Sequence, residues 1–348
     1  MKTIVIVGGS QSHVPFIEAA KKTGFKTIVS DRDKNCQGAK TSDSFCKIST
    51  HEIDKIISKC CELNEEEKII GVMTYSSSTE PLIAVARTCE ILGLPSFSSK
   101  SVELATNKIL MKKCFSESGI PTPEWIETND INDAVDFANE TNEKLIIKPA
   151  LGSQGSKGVF LIDQGSDVSK HFDTAQDNSH DSKVIMEKYY IGREFSVDGI
   201  VVGDNPVILS VSEKFNLGPE FNFIMCGFSM WKIANEDGEL NNEISSIKET
   251  AIKAVKAMNM SNSFFSADIM LTGQGPMVLE CGVLLDCKID RLLFHTCIDV
   301  YDLYIKLITS TTFEIDEVEQ DDHYELSFLF AMKEGKLFIN SSPTEELN

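Results

Sequence analysis

The stretch from Leu145 to Phe160 reads LIIKPALGSQGSKGVF and limits what this chain can fold into more than any other segment. An apolar run, Leu145 to Ile147, ends in Lys148-Pro149. A loop carrying Gly152, Ser153, Gly155, Ser156, Lys157 and Gly158 leads to a second apolar run, Val159 to Ile162. Short apolar runs bounded by glycine and small polar residues read as strand, loop, strand. Without Cβ atoms in the way, the backbone N–H groups of such a loop converge into a nest for phosphate oxygens. Lys148 stands where its ammonium would meet the same anion as a point charge. An ordinary glycine-rich hairpin with a surface lysine fits these residues too, so the rest of the chain has to decide.

With 348 residues there is room for two or three domains with substantial cores. A 42% hydrophobic and 25% charged composition is that of a globular protein rather than a disordered one. The net charge of -20 argues against a nucleic-acid or acidic-membrane partner. Any polyanionic ligand must then be met by local lysines, glycine nests and metal ions. No run is long enough to span a membrane, and the apolar part of MKTIVIVGGS is too short for a signal peptide. The ten cysteines form no CxxC pair, and Cys60, Cys61, Cys89 and Cys114 lie in apolar helical surroundings. Reduced thiols in a cytoplasm are the expectation, and zinc-ligand spacing is missing.

In chain order, Thr3 to Val7 reads as a buried strand, followed by the loop GGSQSH, a helix from Val14 to Thr23 and a strand from Lys26 to Ser30 ending at Asp31. A dinucleotide fold would start this way, but GGSQSH lacks GxGxxG spacing, which disfavours NAD. Further βα units follow: strand Phe45 to Ile48 with helix Ile53 to Leu63, then strand Ile69 to Met73 with helix Pro81 to Leu92. Alternating strands and helices imply a parallel sheet with ligands at the carboxyl ends of its strands. The loop TYSSSTE lies at such an end, where Ser76 to Ser78 and Glu80 serve either as a helix cap or as ligand contacts. Helices are expected over Ser101–Ala105 and Lys108–Ser116. From Trp125 to Met186 the pattern is strand, helix, strand, glycine loop, strand, helix, strand, a small α+β unit suited to a lid. The fold class is α/β and α+β, multidomain.

Taken together, VIVGGS, VSDRD, LGLPSFSSKSVELATNKILMKKCFSESGIPTPEW, IIKPALGSQGSKGV, IMEKYYIGREFSVDGIV, SADIML and VLECG resemble the motifs of the ATP-grasp enzymes, in family order, from about residue 1 to 310. The resemblance is to the carboxylate–amine ligase type, related to carbamoyl-phosphate synthase and biotin carboxylase domains. It implies a Rossmann-like pre-ATP-grasp domain over 1–95, a helical connection over 96–120, a lid over 121–186, a central domain over 187–310 and a C-terminal extension over 311–348. It implies ATP and Mg²⁺, with Mn²⁺ as the alternative ion. Lys108 and Lys148 would contact phosphate oxygens, and Gly152, Ser153, Gly155, Ser156 and Gly158 would fold over them. Glu187 would face the adenine amino group, the backbone at Lys188 and Tyr190 would read the ring edge, and Glu194 would accept from the ribose hydroxyls. Lys214 would be a third cation for the β- and γ-phosphates, and Asp268 and Glu280 would hold the metal.

One departure stands out. The family continues the metal glutamate as Glu-x-Asn-x-Arg, whereas this chain reads Glu280-Cys281-Gly282-Val283-Leu284. Asp286, Asp290 and Arg291 lie just downstream and either replace the asparagine and arginine in part, with Arg291 as the catalytic arginine, or form a capped helix start with a surface ion pair. The expected activity is ATP-dependent joining of a small-molecule carboxylate and an amine through an acyl phosphate. Loops Gly8–His13 and Tyr75–Glu80 would select the substrates, together with FNLGPEFNFIMCGFSMW, which is either a substrate cover or an ordinary core edge. Alternatives are carboxyphosphate or carbamoyl-phosphate chemistry, or nucleotide binding without turnover. A homodimer is expected by analogy alone.

Overall fold

The computed structural model describes residues 2–152, 157–163, 168–219, 223–230, 239–286, 288–296, 298–309, 315 and 324–327. Strands β1 (Lys2–Val7), β2 (Lys26–Ser30), β3 (Ser44–Cys46) and β4 (Lys68–Met73) form a parallel sheet in the order β3-β2-β1-β4. β1 is apolar on both sides because it is buried on both sides, as central parallel strands are. Val5 and Val7 join the core lined by helices Ile53–Glu66 and Thr79–Leu92. Ile4 and Ile6 instead meet helix Val14–Lys22 and the late helix Val300–Thr309. A five-residue helix, Gln37–Thr41, was not among the expected elements. Its sequence carries no apolar period, and its Gly38 N–H is tied to the Gly9 carbonyl at 2.8 Å.

Strands β5 (Trp125–Thr128), β6 (Leu145–Pro149), β7 (Phe160–Ile162) and β8 (Val184–Lys188) form an antiparallel sheet ordered β5-β8-β6-β7. The expected hairpin around the glycine loop is β6–β7, with Leu145 opposite Ile162. Leu145, Ile147, Val184 and Met186 point to one side, where helices Ile131–Thr141 and Val168–Asp177 contribute Phe137 and Phe172. The period-2 alternation then sends Lys148 and Glu187 to the other side.

A third sheet, antiparallel, holds β9 (Arg193–Val202), β10 (Asn205–Asn216), β11 (Met225–Met230), β12 (Ser263–Thr272), β13 (Gly275–Gly282) and β14 (Tyr324–Ser327), ordered β13-β12-β9-β10-β11-β14. In β9, EFSVD alternates: Phe195 and Val197 pack toward helix Glu239–Ala257, while Glu194, Ser196 and Asp198 face the opposite side. The register lays Lys214 of β10 beside Glu194, Asp268 of β12 beside Ser196, and Glu280 of β13 beside Asp268. One face of this sheet is therefore a strip of charged and hydroxyl side chains.

The segment after Lys214, expected as a substrate cover or a core edge, forms the end of β10 and all of β11 among its described residues. Phe228 and Met230 are buried in the core, Phe215 is exposed, and Leu217 N–H donates to the Ile224 carbonyl at 3.0 Å. The C-terminal sequence reads as strands over Tyr324 to Met332 and Lys336 to Ile339; Tyr324–Ser327 adds to the sheet edge along β11, and the rest lies outside the described residues.

Candidate active site

Between the small sheet and the strip lies a chain of alternating charges. Lys108 opens helix Lys108–Glu117, whose N-cap Asn107 accepts from the Leu110 N–H at 3.1 Å. The Lys108 N–H donates to the Ala150 carbonyl at 3.0 Å, which fastens the helix start to the strand that ends in Lys148-Pro149. Its ammonium stands 3.0 Å from Glu280. Lys148 lies 3.0 Å from Glu187 and 3.7 Å from Glu280, and Lys112 lies 3.2 Å from Glu187. Sequence reasoning missed Lys112. It sits one helical turn after Lys108 and is 1% exposed, held at 2.6 Å by Thr122 Oγ1. Only a lysine at a core-facing helical position could have signalled it, and that position is visible once the helix is packed.

The electrostatics follow from burial and partners. Burial would raise Glu280, but Lys108 and Lys148 outweigh it and hold the carboxyl at about 2. Burial likewise opposes ionisation of Glu187, and Lys112 with Lys148 wins, so its pKa is lowered. Burial would lower Lys148, but Glu187 and Glu280 raise it. Lys112 has Glu187 as its main anion, and burial brings it down to about 8.

A second group lies along the strip. The Lys214 ammonium is 2.9 Å from Asp268 Oδ2, 3.0 Å from Asp286 Oδ2 and 3.5 Å from Glu194. Burial works against its charge, yet these carboxylates raise it well above the usual lysine value. Asp198, fully buried, accepts from Ser196 Oγ at 2.6 Å and from the Asp286 N–H at 2.8 Å. One ammonium cannot neutralise all these acids. Burial first, and the neighbouring carboxylates with it, push Asp268 and Asp198 upward. Asp286, six residues beyond Glu280, thus joins the site.

Other expected residues fall as follows. The Lys188 N–H is spent on the Glu124 carbonyl (2.8 Å), and its ammonium pairs with Glu143 at 2.7 Å. The Tyr190 N–H has no hydrogen-bond partner among the described residues. Glu194 also accepts from Asn216 at 2.7 Å. Gly152 and Gly158, at the two described ends of the glycine loop, have φ of 83° and 77°. Ser153, Gly155 and Ser156 lie outside the described residues. Asp290 accepts from the Tyr301 hydroxyl at 2.7 Å. Arg291 is exposed on helix Ile289–His295, and among the described residues no ion pair joins it to either charged group.

At the carboxyl ends of β1 and β4, His13 ties the two loops expected to face substrate. Its Nε2 accepts from the Tyr75 N–H at 3.1 Å, and its Nδ1 lies 2.8 Å from Ser10 Oγ. Burial pushes it down to about 4, so the ring is neutral. A Cβ at Gly8 would stand 2.7 Å from Nε2, which is why glycine occupies that turn. Ser78 is the N-cap of helix Thr79–Leu92 but makes no side-chain cap bond, and Glu80 lies 3.4 Å from His51.

The residues expected to hold a metal fit a hard divalent cation. Asp268 and Glu280 are register partners on one face, and Asp268 Oδ1 is buried without a hydrogen-bond partner among the described residues. Among those residues no group of three or more His, Cys, Asp and Glu forms a metal site. Two carboxylates suit an ion that completes its octahedron with phosphate oxygens and water.

Residues 105–282 match the ATP-grasp domain family. The phosphoribosylamine–glycine ligase of Methanococcus vannielii is 25% identical over 308 residues, 80% of this chain and 66% of that relative. The N5-carboxyaminoimidazole synthetase from Staphylococcus aureus, solved with ADP, superposes with a TM-score of 0.76 at 18% identity, covering 94% of this chain and 82% of that one. The L-amino acid ligase from Bacillus licheniformis gives 0.71 at 19% identity, covering 89% and 74%. These last two likenesses establish the fold. The family match covers more than half of the chain and contains Lys108, Lys148, Glu187, Glu194, Lys214, Asp268 and Glu280, and this chain belongs to the ATP-grasp family.

Proposed function

We propose that this protein is an ATP-dependent carboxylate–amine ligase that works through an acyl phosphate. The observation that carries this reading is the convergence of Lys108 and Lys148 on Glu280, which stands opposite Asp268 across the β12–β13 pair. Cations from the lid and the helix thus meet carboxylates of the central sheet, the pairing that triphosphate and a divalent ion require. Lys108 and Lys148 would exchange part of their contact with Glu280 for phosphate oxygens. The Tyr190 N–H, without a hydrogen-bond partner among the described residues, would read a purine edge, and Glu194 would accept from a vicinal diol. A magnesium ion at Asp268 and Glu280 would supply charge neutralisation and orientation of the phosphate chain.

In the first step a substrate carboxylate oxygen bonds to the γ-phosphorus as the bond to ADP breaks. In the second an amine nitrogen bonds to the acyl carbon, the bond to phosphate oxygen breaks, and the amine proton departs. An acyl phosphate hydrolyses readily, so water would have to be kept from the site beside the glycine loop between β6 and β7 before transfer. Gly152 and Gly158 give that loop its left-handed ends. The loops joined by His13 would contribute to substrate choice, and small carboxylates and amines are the proposed partners.

A second reading, nucleotide binding without ligase turnover, is favoured by Gly282, which offers no side-chain donor, and by the exposed Arg291. Phosphate release from ATP and Mg²⁺ over amino and hydroxy acids, singly and in pairs, separates the two. Release that needs a particular carboxylate and amine, and that drops by about 10²-fold or more in Lys148→Ala, supports the ligase. ATP binding with no release above that variant for any pair would favour the second reading.

A further inference from the structure

The group around Lys214 is built unlike the one around Lys148. There cations and anions alternate, and each carboxylate has two ammonium neighbours. Here one ammonium serves Asp268, Asp286 and Glu194 at 2.9, 3.0 and 3.5 Å. They come from β12, the segment after β13, and β9, and Lys214 itself is on β10. Its side chain is 9% exposed. A ring of converging carboxylates at such distances is the surrounding that a divalent cation would otherwise seek. We infer that the Lys214 ammonium is a built-in cation standing where a second divalent ion would bind, so that the nucleotide site uses one metal ion and one ammonium. This rests on the nucleotide-site reading above.

Among the described residues the geometry leaves room for one ion and no side-chain donors for another. Asp268 gives Oδ2 to Lys214 and keeps Oδ1 buried without a hydrogen bond among the described residues, with Glu280 its register partner. A single ion held by Asp268 and Glu280 would take from the Lys214 ring only the Asp268 oxygen that does not face the ammonium. A further ion would have to take oxygens that already face an ammonium, and the two cations would repel at close range. Gly282 shares the face of Glu280, and a Cβ built there would meet nothing within 4 Å. Space is available at that position, but a ligand is not. The lysine is tethered by its strand, so its charge is present at every metal concentration. Asn216 fixes Glu194 at 2.7 Å, and the Asp286 N–H is held by Asp198, which keeps the ring assembled. Lys214 thus acts as a positioning residue for these carboxylates.

The test counts bound Mn²⁺ by electron paramagnetic resonance on the full chain, with and without ADP. The wild type with ADP is expected to bind one ion. Lys214→Met strips the ring of its counter-charge, and this variant is expected to bind one Mn²⁺ without nucleotide and two with ADP. Gly282→Asn, which adds a donor into open space but keeps the ammonium, is expected to stay at one. Two ions on the ADP-loaded wild type or on Gly282→Asn would overturn the inference. So would a Lys214→Met protein, folded by circular dichroism, that gains no ion. If Lys214→Met does not fold, the counts on the wild type and Gly282→Asn decide. Failure of ADP to bind would count against the nucleotide-site reading, whereas the nucleotide-free arm tests the role of Lys214 by itself.

Discussion

Lys112 shows how much of this site is decided at single residues. Its ammonium is 1% exposed, brought down to about 8 by burial, and held by Thr122 Oγ1 and Glu187. Removing one partner of a buried pair costs most when the other is left alone. In Lys112→Met, Glu187 would keep Lys148, so the expected loss is about 1–3 kcal/mol in urea unfolding. Adding Glu187→Gln should cost less than the sum of the single changes, because the two residues share one network. Strict additivity would show that the pair is not coupled. Glu280 supplies the pH dependence. Its folded value of about 2 lies below its ordinary 4.5, so its stabilisation is complete above pH 4.5 and is lost as pH falls toward 2. Glu280→Gln should flatten stability against pH in that window, and an unchanged slope would remove Glu280 as the cause.

At the scale of elements, the β6–β7 hairpin is held by its glycines. Gly158 has φ of 77°, and a Cβ there would stand 2.9 Å from the Pro149 ring, next to Lys148. Gly158→Ala should therefore cost roughly 1–2 kcal/mol from the left-handed conformation, and more if the proline cannot yield. Melting temperature and ADP affinity, measured by calorimetry, should fall together. A drop in stability with unchanged affinity would separate this turn from nucleotide binding. The hairpin was legible in the sequence because two apolar runs flank glycines. For the β10–β11 segment the sequence leaves a cover and a core edge both open, because aromatic and Met residues interrupt its period. Phe228 and Met230 pack in the core there, and a linear pattern does not separate a packed aromatic from an exposed one.

For the whole molecule, the cores decide what unfolds together. One cluster runs from Val5 and Val72 of the parallel sheet to Phe195 and Phe265 of the central sheet. A second joins Ile4 and Phe16 to Tyr304 and Phe264. The β5-β8-β6-β7 sheet has its own cluster around Phe137, Ile147 and Met186. Hydrogen exchange in low denaturant should show amides of β6 and β8 opening as a unit at lower free energy than those of β1 and β9. Simultaneous opening of all four strands would mean that the charged contacts at Lys108, Lys112 and Lys148 weld the small antiparallel sheet to the rest.

By itself, the sequence determined the βα order and the glycine hairpin, since apolar period and punctuation are local properties of the chain, and its motifs in order carried the resemblance to the family. It also placed Asp268 and Glu280 on a hairpin, where strand alternation puts facing residues on one side. It could not reveal that Lys112 is buried against Glu187, that Asp286 reaches Lys214, or that Arg291 stands exposed outside both groups. Which charges become neighbours depends on how the three sheets pack. Residues 166 positions apart, such as Lys112 and Val278, meet only after the helix docks on the central sheet.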